Sequence, residues 1–284
     1  MRKLAMVIIN YNDYLTTMKL INNIKDYKCL DKIIIVDNCS IDDSYDKLKN
    51  EVPEHIDVIR ADENKGYAAG LNYGAKYAMG ILDNPIIIFS NSDIIIDREE
   101  SLINLKEDIT DDVKVVGPTV YEHGTLNRGW KRTTPFIEIL CNLPLISRYF
   151  KKKLLYYTDD YYKEDTSIVD VVSGCFFLVD GETLEKINYF DENTFLYYEE
   201  FILSSKMKSI NKKELIDNKI KIIHNHSVSI DKSIKRVGKY KILKSSQKYY
   251  VKNYLKANKI ELFFLWLTNK LSLIILYIRC LLHR

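Results

Sequence analysis

Small polar and acidic side chains follow three short apolar runs of this 284-residue sequence, at the point where each run ends. Asn10-Tyr11-Asn12 follows the first run, Asp37-Asn38 the second, and Asn91-Ser92-Asp93 a later one. Capping of the following helices is one explanation of such residues, and at Asp37 it can coexist with ligand binding. A carboxylate directly at a strand end, as at Asp37 and Asp93, favours ligand contact.

A second group that could do chemistry is the acid pair Glu199-Glu200, which follows the aromatic run Phe195-Leu-Tyr-Tyr198. The pair begins a segment in which Leu203, Met207 and Ile210 recur on one helical face. Acids in a first helical turn can simply interact with the helix dipole, which is worth about 0.3–1 kcal/mol. The preceding aromatic residues favour a walled pocket instead.

The apolar pattern predicts the elements that position these residues. Short runs rich in β-branched residues are typical of strands buried on both faces of a sheet. They are Leu4–Ile9, Ile33–Val36, Ile56–Ile59, Ile86–Phe89, Val113–Val116, Val169–Val172 and Cys175–Val179. Apolar positions at helical spacing lie between them, at Thr17, Leu20, Ile21 and Ile24 and again at Ala68, Leu71, Ala75 and Ala78. The alternation predicts a doubly wound α/β fold, with a mostly parallel sheet, helices on both faces, and ligands bound beyond the carboxyl ends of the strands.

Composition excludes several classes of protein. The content of 46% hydrophobic and 29% charged residues excludes wholesale disorder, and a net charge of +3 gives no argument for a nucleic-acid partner. The five cysteines are widely spaced and form no C-x-x-C motif, which argues against a disulfide framework or a zinc site and fits a reducing compartment.

Six motifs occur in order along the chain. They are Val7-Ile-Ile-Asn-Tyr-Asn12, Ile35-Val-Asp-Asn-Cys-Ser40 with Asp42, Asn64-Lys-Gly-Tyr-Ala-Ala-Gly-Leu-Asn-Tyr-Gly74, Phe89-Ser-Asn-Ser-Asp93, Val172-Ser-Gly-Cys-Phe-Phe177, and Phe190-Asp-Glu…Phe195-Leu-Tyr-Tyr-Glu-Glu200. Together they resemble the inverting family 2 glycosyltransferases of GT-A fold, in particular the rhamnosyltransferase-like branch, from about residue 4 to residue 230. The resemblance implies a Rossmann-like GT-A domain that binds a nucleoside-diphosphate sugar.

The resemblance implies that the polar strand ends bind the donor. Asn10, Asn12, Asp37 and Asn38 would hydrogen-bond the base and ribose. Asp37 or Asn38 would meet the pyrimidine ring, with the backbone near Tyr11 lying over it.

A Mg²⁺ or Mn²⁺ cofactor is also implied, because a divalent cation offsets the charge of the diphosphate. Asn91-Ser92-Asp93 resembles the Asp-x-Asp metal motif of the family in an Asn-first form, which leaves Asp93 as the carboxylate ligand. His224 and His226 end the run Ile220–Ile223, where the family often has a histidine that reaches the diphosphate or its metal. A structural histidine is the alternative for both.

Three further positions are implied near the donor. The turn Lys65–Gly66 would close against it, with Lys65 on a phosphate or a sugar hydroxyl. Asn72 belongs to the same motif, although small residues at this spacing also allow close packing of a helix on a sheet. Gly174 would let the backbone approach donor or acceptor, and a plain strand-start glycine is the alternative.

Inverting transfer needs a base that takes the proton of the acceptor hydroxyl. The family usually has Glu-Asp at the position of the acid pair, with the second acid as base. The resemblance therefore implies Glu200 as the base and Glu199 as the runner-up or orienting residue. The second acid is one methylene longer here, and Ile202 replaces the downstream acid of the family.

Two segments depart from the strand–helix alternation. Residues 120–168 predict an acceptor-side insertion with some helix, in which the triple lysine Lys151–Lys153 fits a binding loop or a solvated basic face.

Residues 260–282 predict a helix with one polar stripe and a wide apolar face. The stripe consists of Glu261, Thr268, Ser272, Arg279 and His283. Lys270 and Arg279 disfavour a membrane span, so we expect a helix in the membrane interface. Packing on the catalytic domain or an oligomer contact is the alternative.

These observations predict a catalytic domain over residues 1–230 and a helical segment over 231–284. The expected activity is metal-dependent, inverting transfer of a sugar, with rhamnose favoured, to a lipid-linked or polysaccharide acceptor of surface glycan synthesis. The expected location is cytoplasmic and peripheral on the inner face of the plasma membrane, with a homodimer as an option and no nucleic-acid partner. A sugar nucleotidyltransferase and a non-catalytic glycan-binding or membrane scaffold are the rival interpretations.

Overall fold

A computed structural model describes residues 2–225 and 236–282, and in these ranges ten strands form one sheet with the order β3-β2-β1-β4-β9-β6-β10-β5. Strand β7 pairs with β6, and β8 pairs with β10. The strands are β1 Leu4–Asn10, β2 Lys32–Asp37, β3 Ile56–Arg60, β4 Ile86–Asn91, β5 Ile94–Ile95, β6 Val113–Glu122, β7 Thr125–Asn127, β8 Thr166–Val169, β9 Phe176–Asp180 and β10 Lys213–His224.

Helices flank the sheet on both faces and form a separate layer at the carboxyl-terminal end of the chain. They are α1 Tyr14–Ile24, α2 Ser44–Glu51, α3 Tyr67–Ile81, α4 Glu100–Glu107, α5 Pro135–Cys141, α6 Pro144–Leu155, α7 Gly181–Lys186, α8 Glu199–Ser209, α9 Arg236–Asn253 and α10 Lys259–Leu282. The predicted insertion thus consists mainly of the hairpin strand β7, the helices α5 and α6, and a short 3₁₀ turn at Asp159–Tyr162.

Strand direction divides the sheet into two halves. The neighbours β3, β2, β1 and β4 are parallel, as the sequence predicts. Strand β9, however, runs antiparallel between β4 and β6, and β5, β7 and β8 also pair antiparallel. The prediction of a mostly parallel sheet is therefore wrong for the second half. Strand β8 already runs antiparallel to β10, and only residues 170–175 connect it to β9, so β9 keeps the reversed direction of β8.

The core confirms the predicted helix faces. The buried residues of α1 include Thr17, Leu20, Ile21 and Ile24, and those of α3 include Ala68, Leu71, Ala75 and Ala78. A Cβ added to Gly74 would lie 2.3 Å from Val7 Cγ1 and 2.8 Å from Val36 Cγ2. This glycine therefore lets α3 pack closely on β1 and β2, which is the structural alternative for the small residues of that motif.

The carboxyl-terminal helices are docked on the rest of the chain. Ile202 of α8 shares a buried cluster with Tyr250 and Val251 of α9 and Leu265 of α10. The hydroxyl of Tyr249 also donates to Asp191 Oδ2 at 2.8 Å. Helix α9 is thereby attached to the segment that precedes the acid pair.

Two residues of the predicted polar stripe of α10, Thr268 and Ser272, face the protein, while His283 lies outside the described residues. Thr268 and Ser272 are buried, and Asn142, which follows α5, donates to Thr268 Oγ1 at 3.2 Å and accepts a hydrogen bond from Ser272. The apolar face is exposed at Phe263, Phe264, Trp266, Leu271, Ile274, Tyr277 and Ile278. Within the described residues, Lys259–Ile278 is the one helix long and apolar enough to cross a membrane, and only 17% of its most apolar window is buried. By length and composition alone this is weak support for a span.

Two carboxyl groups away from the predicted donor and metal residues have contrasting environments. Asp180 accepts from Thr183 N at 2.8 Å and forms ion pairs with Arg2 and Lys114. Burial by itself would raise the pKa of Asp180, but these hydrogen bonds and charges outweigh it and lower the pKa to about 2. At Asp108, burial and then the charge of Asp217 raise the pKa to about 6.

Candidate functional site

The ends of β1 and β2 are joined by a buried network of polar side chains. Asn10 Nδ2 donates to Asp37 Oδ1 at 2.9 Å, and its Oδ1 accepts from Thr17 Oγ1. Asp37 Oδ2 accepts from Ser40 N at 3.0 Å, and Ser40 Oγ accepts from Asn12 N at 2.9 Å. Asn10 and Asp37 are fully buried, so they connect the two loops rather than cap the next helix.

Asn38 connects β2 to the loop that precedes α3. Its Nδ2 donates to Gly66 O at 3.1 Å and to Asn64 Oδ1 at 3.2 Å, and Asn64 Oδ1 also accepts from Gly66 N. Gly66 has φ +108, and a Cβ at this position would lie 2.3 Å from Phe195 O. The turn 64–66 therefore requires glycine, and it lies against the loop that leads to the acid pair.

Arg60 is a residue of this rim that the sequence reasoning missed. Its guanidinium lies 3.6 Å from Asp37 Oδ2, donates to Ser40 O at 2.9 Å, and stacks over the Tyr45 ring at 4.9 Å. The side chain is 41% exposed, so it retains surface for a ligand. Its position at the carboxyl end of β3, beside two strand ends already singled out, is a signal that could have identified it.

Asp93 and His224 lie side by side beyond the ends of β4 and β10. Asp93 Oδ1 is 3.1 Å from His224 Nε2, and His224 Nδ1 is 2.9 Å from Glu122 Oε2. Burial disfavours the charged imidazole, but hydrogen bonds with Asp93, Cys175 and Glu122 outweigh it and raise the pKa of His224 to about 12. No motif of the sequence pointed to Glu122. His226, the second histidine considered beside His224, lies outside the described residues.

A divalent cation fits this pair of side chains, where it would displace the proton held between His224 Nε2 and Asp93 Oδ1, because metal ligation requires the neutral imidazole. A carboxylate lies beside an imidazole whose other nitrogen is oriented by a second carboxylate, an arrangement typical of metal-binding histidines. Among the described residues no cluster of three or more His, Cys, Asp or Glu forms a complete cage. The fit is therefore to an ion such as Mg²⁺ or Mn²⁺ that takes its other ligands from phosphate and water.

The acid pair begins α8 after two residues in left-handed conformation, Tyr197 at φ +73 and Tyr198 at φ +74. Glu199 is buried and Glu200 partly buried. Burial raises the pKa of both carboxyls, and the charge of Glu200 adds to the effect on Glu199. A carboxylate with a raised pKa is better matched to proton abstraction near neutral pH.

Tyr67, a second residue that the sequence reasoning missed, lies between the two groups. Its hydroxyl donates to Asn91 Oδ1 at 2.8 Å and lies 3.3 Å from Gly174 O. A Cβ added to Gly174 would be 3.6 Å from Glu200 Oε2. Burial raises the pKa of Tyr67 most, and the charge of Glu199 adds to this more than the charges of Glu200 and Asp93 do. The tyrosine hydroxyl thus lies between Asn91 of the predicted metal motif and the backbone of Gly174, which is beside the predicted base.

Other predicted site residues have different surroundings. Asn72 uses its amide on the backbone of Phe190, at 2.9 and 3.0 Å, and on Glu192, so it holds α3 to the next loop. Lys65 is exposed and ion-paired with Glu63 at 2.8 Å. Ser92 is buried beside Asp93, whereas Tyr11 is partly exposed.

Comparison with protein families decides the identity of the chain. A model described as "Glycosyl transferase family 2" matches residues 5–215. The chain belongs to this family. The family 2 assignment confirms the resemblance, while the rhamnosyltransferase-like branch stays a prediction. A search of curated protein sequences found no match to this glycosyltransferase.

Solved structures confirm that this family 2 member has a GT-A fold. GalNAc-T7 with UDP, GalNAc and Mn²⁺ is 16% identical with a TM-score of 0.57, over 78% of this chain and 44% of its own length. The mannosyltransferase PcManGT from Pyrobaculum calidifontis with GDP-Man and Mn²⁺ is 15% identical with a TM-score of 0.60, over 96% of this chain and 72% of its own. S. aureus TarS with UDP-GlcNAc is 14% identical with a TM-score of 0.56, over 92% and 69%. The chain thus spans less than half the length of GalNAc-T7.

Proposed function

We propose that this glycosyltransferase moves a sugar, with inversion at the anomeric carbon, from a nucleoside-diphosphate sugar to a hydroxyl of a lipid-linked or polysaccharide acceptor. The observation that carries the proposal is the arrangement around Tyr67, whose hydroxyl donates to Asn91 of the metal motif and lies 3.3 Å from the backbone oxygen of Gly174, the residue beside Glu200. The nucleotides named with the similar structures, UDP, GDP-Man and UDP-GlcNAc, support a donor of this class.

The donor lies along the rim formed by the ends of β1 to β4. Asn38, Arg60 and the backbone near Tyr11 bind the base and ribose, and the buried Asp37 network holds these loops in place. Asp93 and His224 would hold a Mg²⁺ or Mn²⁺ ion, and such an ion would supply positive charge to offset the negative charge that builds on the departing diphosphate. The Asn-first motif leaves Asp93 as the single carboxylate among these two ligands.

The transfer step follows from the position of Glu200. The acceptor oxygen forms a bond to the anomeric carbon while the bond from that carbon to the diphosphate oxygen breaks, and the electron pair of the broken bond leaves with the diphosphate. Glu200 takes the proton of the acceptor hydroxyl. Glu199 is more deeply buried than Glu200 and orients it. Two adjacent carboxylate charges repel each other, so the pair readily holds one proton.

The exposed apolar face of α10 supports the proposed acceptor and location. Its outward face is apolar at Ile274 and Ile278, and exposed aromatic residues on α6, Tyr149 and Phe150, precede the triple lysine Lys151–Lys153. Aromatic and apolar side chains beside lysines favour the surface of an anionic membrane. A peripheral position on the cytoplasmic face would suit a lipid-linked acceptor, and rhamnose remains the favoured sugar because of the motif resemblance.

Two substitutions test the chemistry. UDP-, GDP- and dTDP-sugars, dTDP-rhamnose among them, are screened for thermal stabilisation with and without MnCl₂, and the best donor is used to measure release of nucleoside diphosphate. Asp93→Ala should lose the Mn²⁺-dependent part of donor binding. Glu200→Gln should bind the donor and lose turnover by at least about 10²-fold, the usual scale of general-base catalysis. Glu185→Gln, an exposed acid on α7, is the control.

Distinct outcomes separate the rival interpretations. A non-catalytic scaffold would bind nucleotides without releasing nucleoside diphosphate, and a nucleotidyltransferase would release pyrophosphate from a nucleoside triphosphate. Full turnover in Glu200→Gln together with loss in Glu199→Gln would assign the base to Glu199. Donor affinity in Asp93→Ala equal to wild type in MnCl₂ would contradict the metal site.

A further inference from the structure

A cavity of about 440 Å³ lies between α5 and α6 on one side and α9 and α10 on the other. Glu200 is one of its lining residues, together with Tyr197 and Phe201 from the same loop and helix. The proposed base is thus in contact with two spaces, the crevice around Tyr67 and this cavity. An acceptor bound in the cavity would have its hydroxyl within reach of the group that must deprotonate it.

Two lysines line this cavity. Lys244 of α9 is partly buried, and its ammonium donates to Asn142 Oδ1 and, at 3.2 Å, to Gln247 Oε1, which are both neutral. Lys151 of α6 is exposed and lines the same space. In the ranges 2–225 and 236–282 neither lysine forms an ion pair with a carboxylate. Burial lowers the pKa of Lys244 to about 8, although the charge of Glu138 opposes this shift, and the charge of Lys151 adds a smaller lowering.

The nearest acid of the cavity is already used by other groups. Glu138 is buried, and its Oε2 accepts from Tyr198 Oη at 2.7 Å and from Gln247 Nε2 at 2.8 Å. Glu138 therefore links Tyr198 and Gln247 in the wall of the cavity by hydrogen bonds rather than forming an ion pair with Lys244. A partly desolvated ammonium whose hydrogen-bond partners are both neutral is stabilised by an anionic ligand.

The rest of the lining is partly apolar and continues to the surface of α10. Leu243, Ile275 and Leu276 line the cavity, while Ile274 and Ile278 of the same helix are exposed on its outward face. A hydrocarbon chain that follows Ile275 and Leu276 would therefore leave the cavity beside the exposed apolar surface. The cavity combines a cationic part, an apolar part and two carboxyl groups, Glu138 and Glu200.

We propose that this cavity is the acceptor site and that it takes an amphiphilic phosphate ester. Lys244 and Lys151 bind the phosphate, the hydrocarbon chain lies along Ile275 and Leu276, and the acceptor hydroxyl lies at Glu200. The inference rests on the proposed function, because an acceptor is needed only if Glu200 serves a transferase.

Binding of three probes to the full-length protein tests the proposal by calorimetry, below the critical micelle concentration. They are dodecyl phosphate, the uncharged dodecyl maltoside, and inorganic phosphate. Lys244→Gln and Lys151→Gln should each weaken dodecyl phosphate by about tenfold or more, the scale of one charge-assisted hydrogen bond. Lys151→Gln keeps the test valid if Lys244→Gln fails to fold, since Lys151 is exposed. Lys248→Gln, an exposed lysine of α9 outside this cavity, is the matched control and should bind as wild type.

Each result has a definite meaning. Equal affinity of wild type and both lysine variants for dodecyl phosphate would overturn the anion site. Equal affinity for dodecyl maltoside, or inorganic phosphate bound as tightly as dodecyl phosphate, would overturn an amphiphilic phosphate as occupant. Binding of UDP, GDP and dTDP with MnCl₂ to the wild type is measured separately. Failure of all three nucleotides would refute the proposed function, and the dodecyl phosphate results would still decide whether the cavity binds such an anion.

Discussion

Substitution of Gly66 by Ala tests the geometry of the donor crevice directly. Gly66 has φ +108 and ψ 180, a conformation almost confined to glycine, so another residue there costs about 1–3 kcal/mol. The added Cβ would also lie 2.3 Å from Phe195 O and 2.7 Å from Phe195 Cα. Both are backbone atoms, so no rotation of a side chain can relieve the overlap.

The consequences extend to stability and to ligand binding. Separation of Gly66 from Phe195 breaks the 2.9 Å hydrogen bond from Tyr67 N to Phe195 O, which has a net value of about 0.5–1.5 kcal/mol. Together with the strain we expect a loss of about 2–4 kcal/mol, or about 4–8 °C in Tm for a chain of this length. The shift also displaces Asn38, which donates to Gly66 O, so nucleoside diphosphate affinity should fall by at least about tenfold.

Gly80→Ala is the control, since Gly80 lies in α3, the helix that Gly66 precedes, and an added Cβ there meets no atom within 4 Å. It should raise the free energy of unfolding by about 0.5–1 kcal/mol, because alanine is the better helix residue. Calorimetric unfolding and titration with UDP, GDP and dTDP in MnCl₂ measure both effects. A Gly66→Ala protein with the Tm and affinity of wild type would refute the close approach of the 64–66 turn to Phe195.

Three further outcomes are expected. Asp108→Asn should stabilise the protein in urea at pH 7 and much less at pH 4, because the raised pKa of about 6 makes stability fall as pH rises from about 4 to about 6; equal effects at both pH values would contradict this. Asp180→Ala should lose about 3 kcal/mol at pH 7 through its buried ion pairs, and the loss should shrink as pH falls towards the pKa of about 2; a constant loss would contradict the ion-pair explanation. Ile274→Asn combined with Ile278→Asn should reduce flotation with anionic vesicles, whereas Ile103→Asn, a similarly exposed position on α4, should not; unchanged flotation of the double variant would contradict the membrane proposal.

Much of the donor side could be predicted because it depends on local patterns. The ends of parallel strands meet at one edge of a sheet, so Asn10, Asp37 and Asn91 could be assigned to a common rim from the apolar runs alone. What the pattern did not reveal is the degree of burial. Asp37 is fully buried and holds the loops of the rim together, while Arg60 is partly exposed and can contact a ligand.

The metal side depends on a pairing that no local pattern contains. Strand β5 has two residues and pairs antiparallel with the end of β10, with His224 opposite Ile94. This register places Asp93 beside His224 although 131 positions separate them in the sequence, and the parallel pairing of β10 with β6 adds Glu122. Family resemblance identified Asp93 and His224 one by one, whereas Glu122 follows only from the sheet order.

Helical periodicity separates the two faces of α10 but does not reveal which of them meets the protein. Because Asn142 satisfies Thr268 and Ser272, the polar stripe packs inward and the apolar face is left without protein cover in the described structure. An exposed apolar face of this kind marks a surface for lipid or for another chain. The same docking brings Ile275 and Leu276 to the cavity that Glu200 also lines. The docking of α10 on Asn142 therefore leaves the apolar face of this helix outward. It also places Ile275 and Leu276 in the lining of the cavity beside the proposed base.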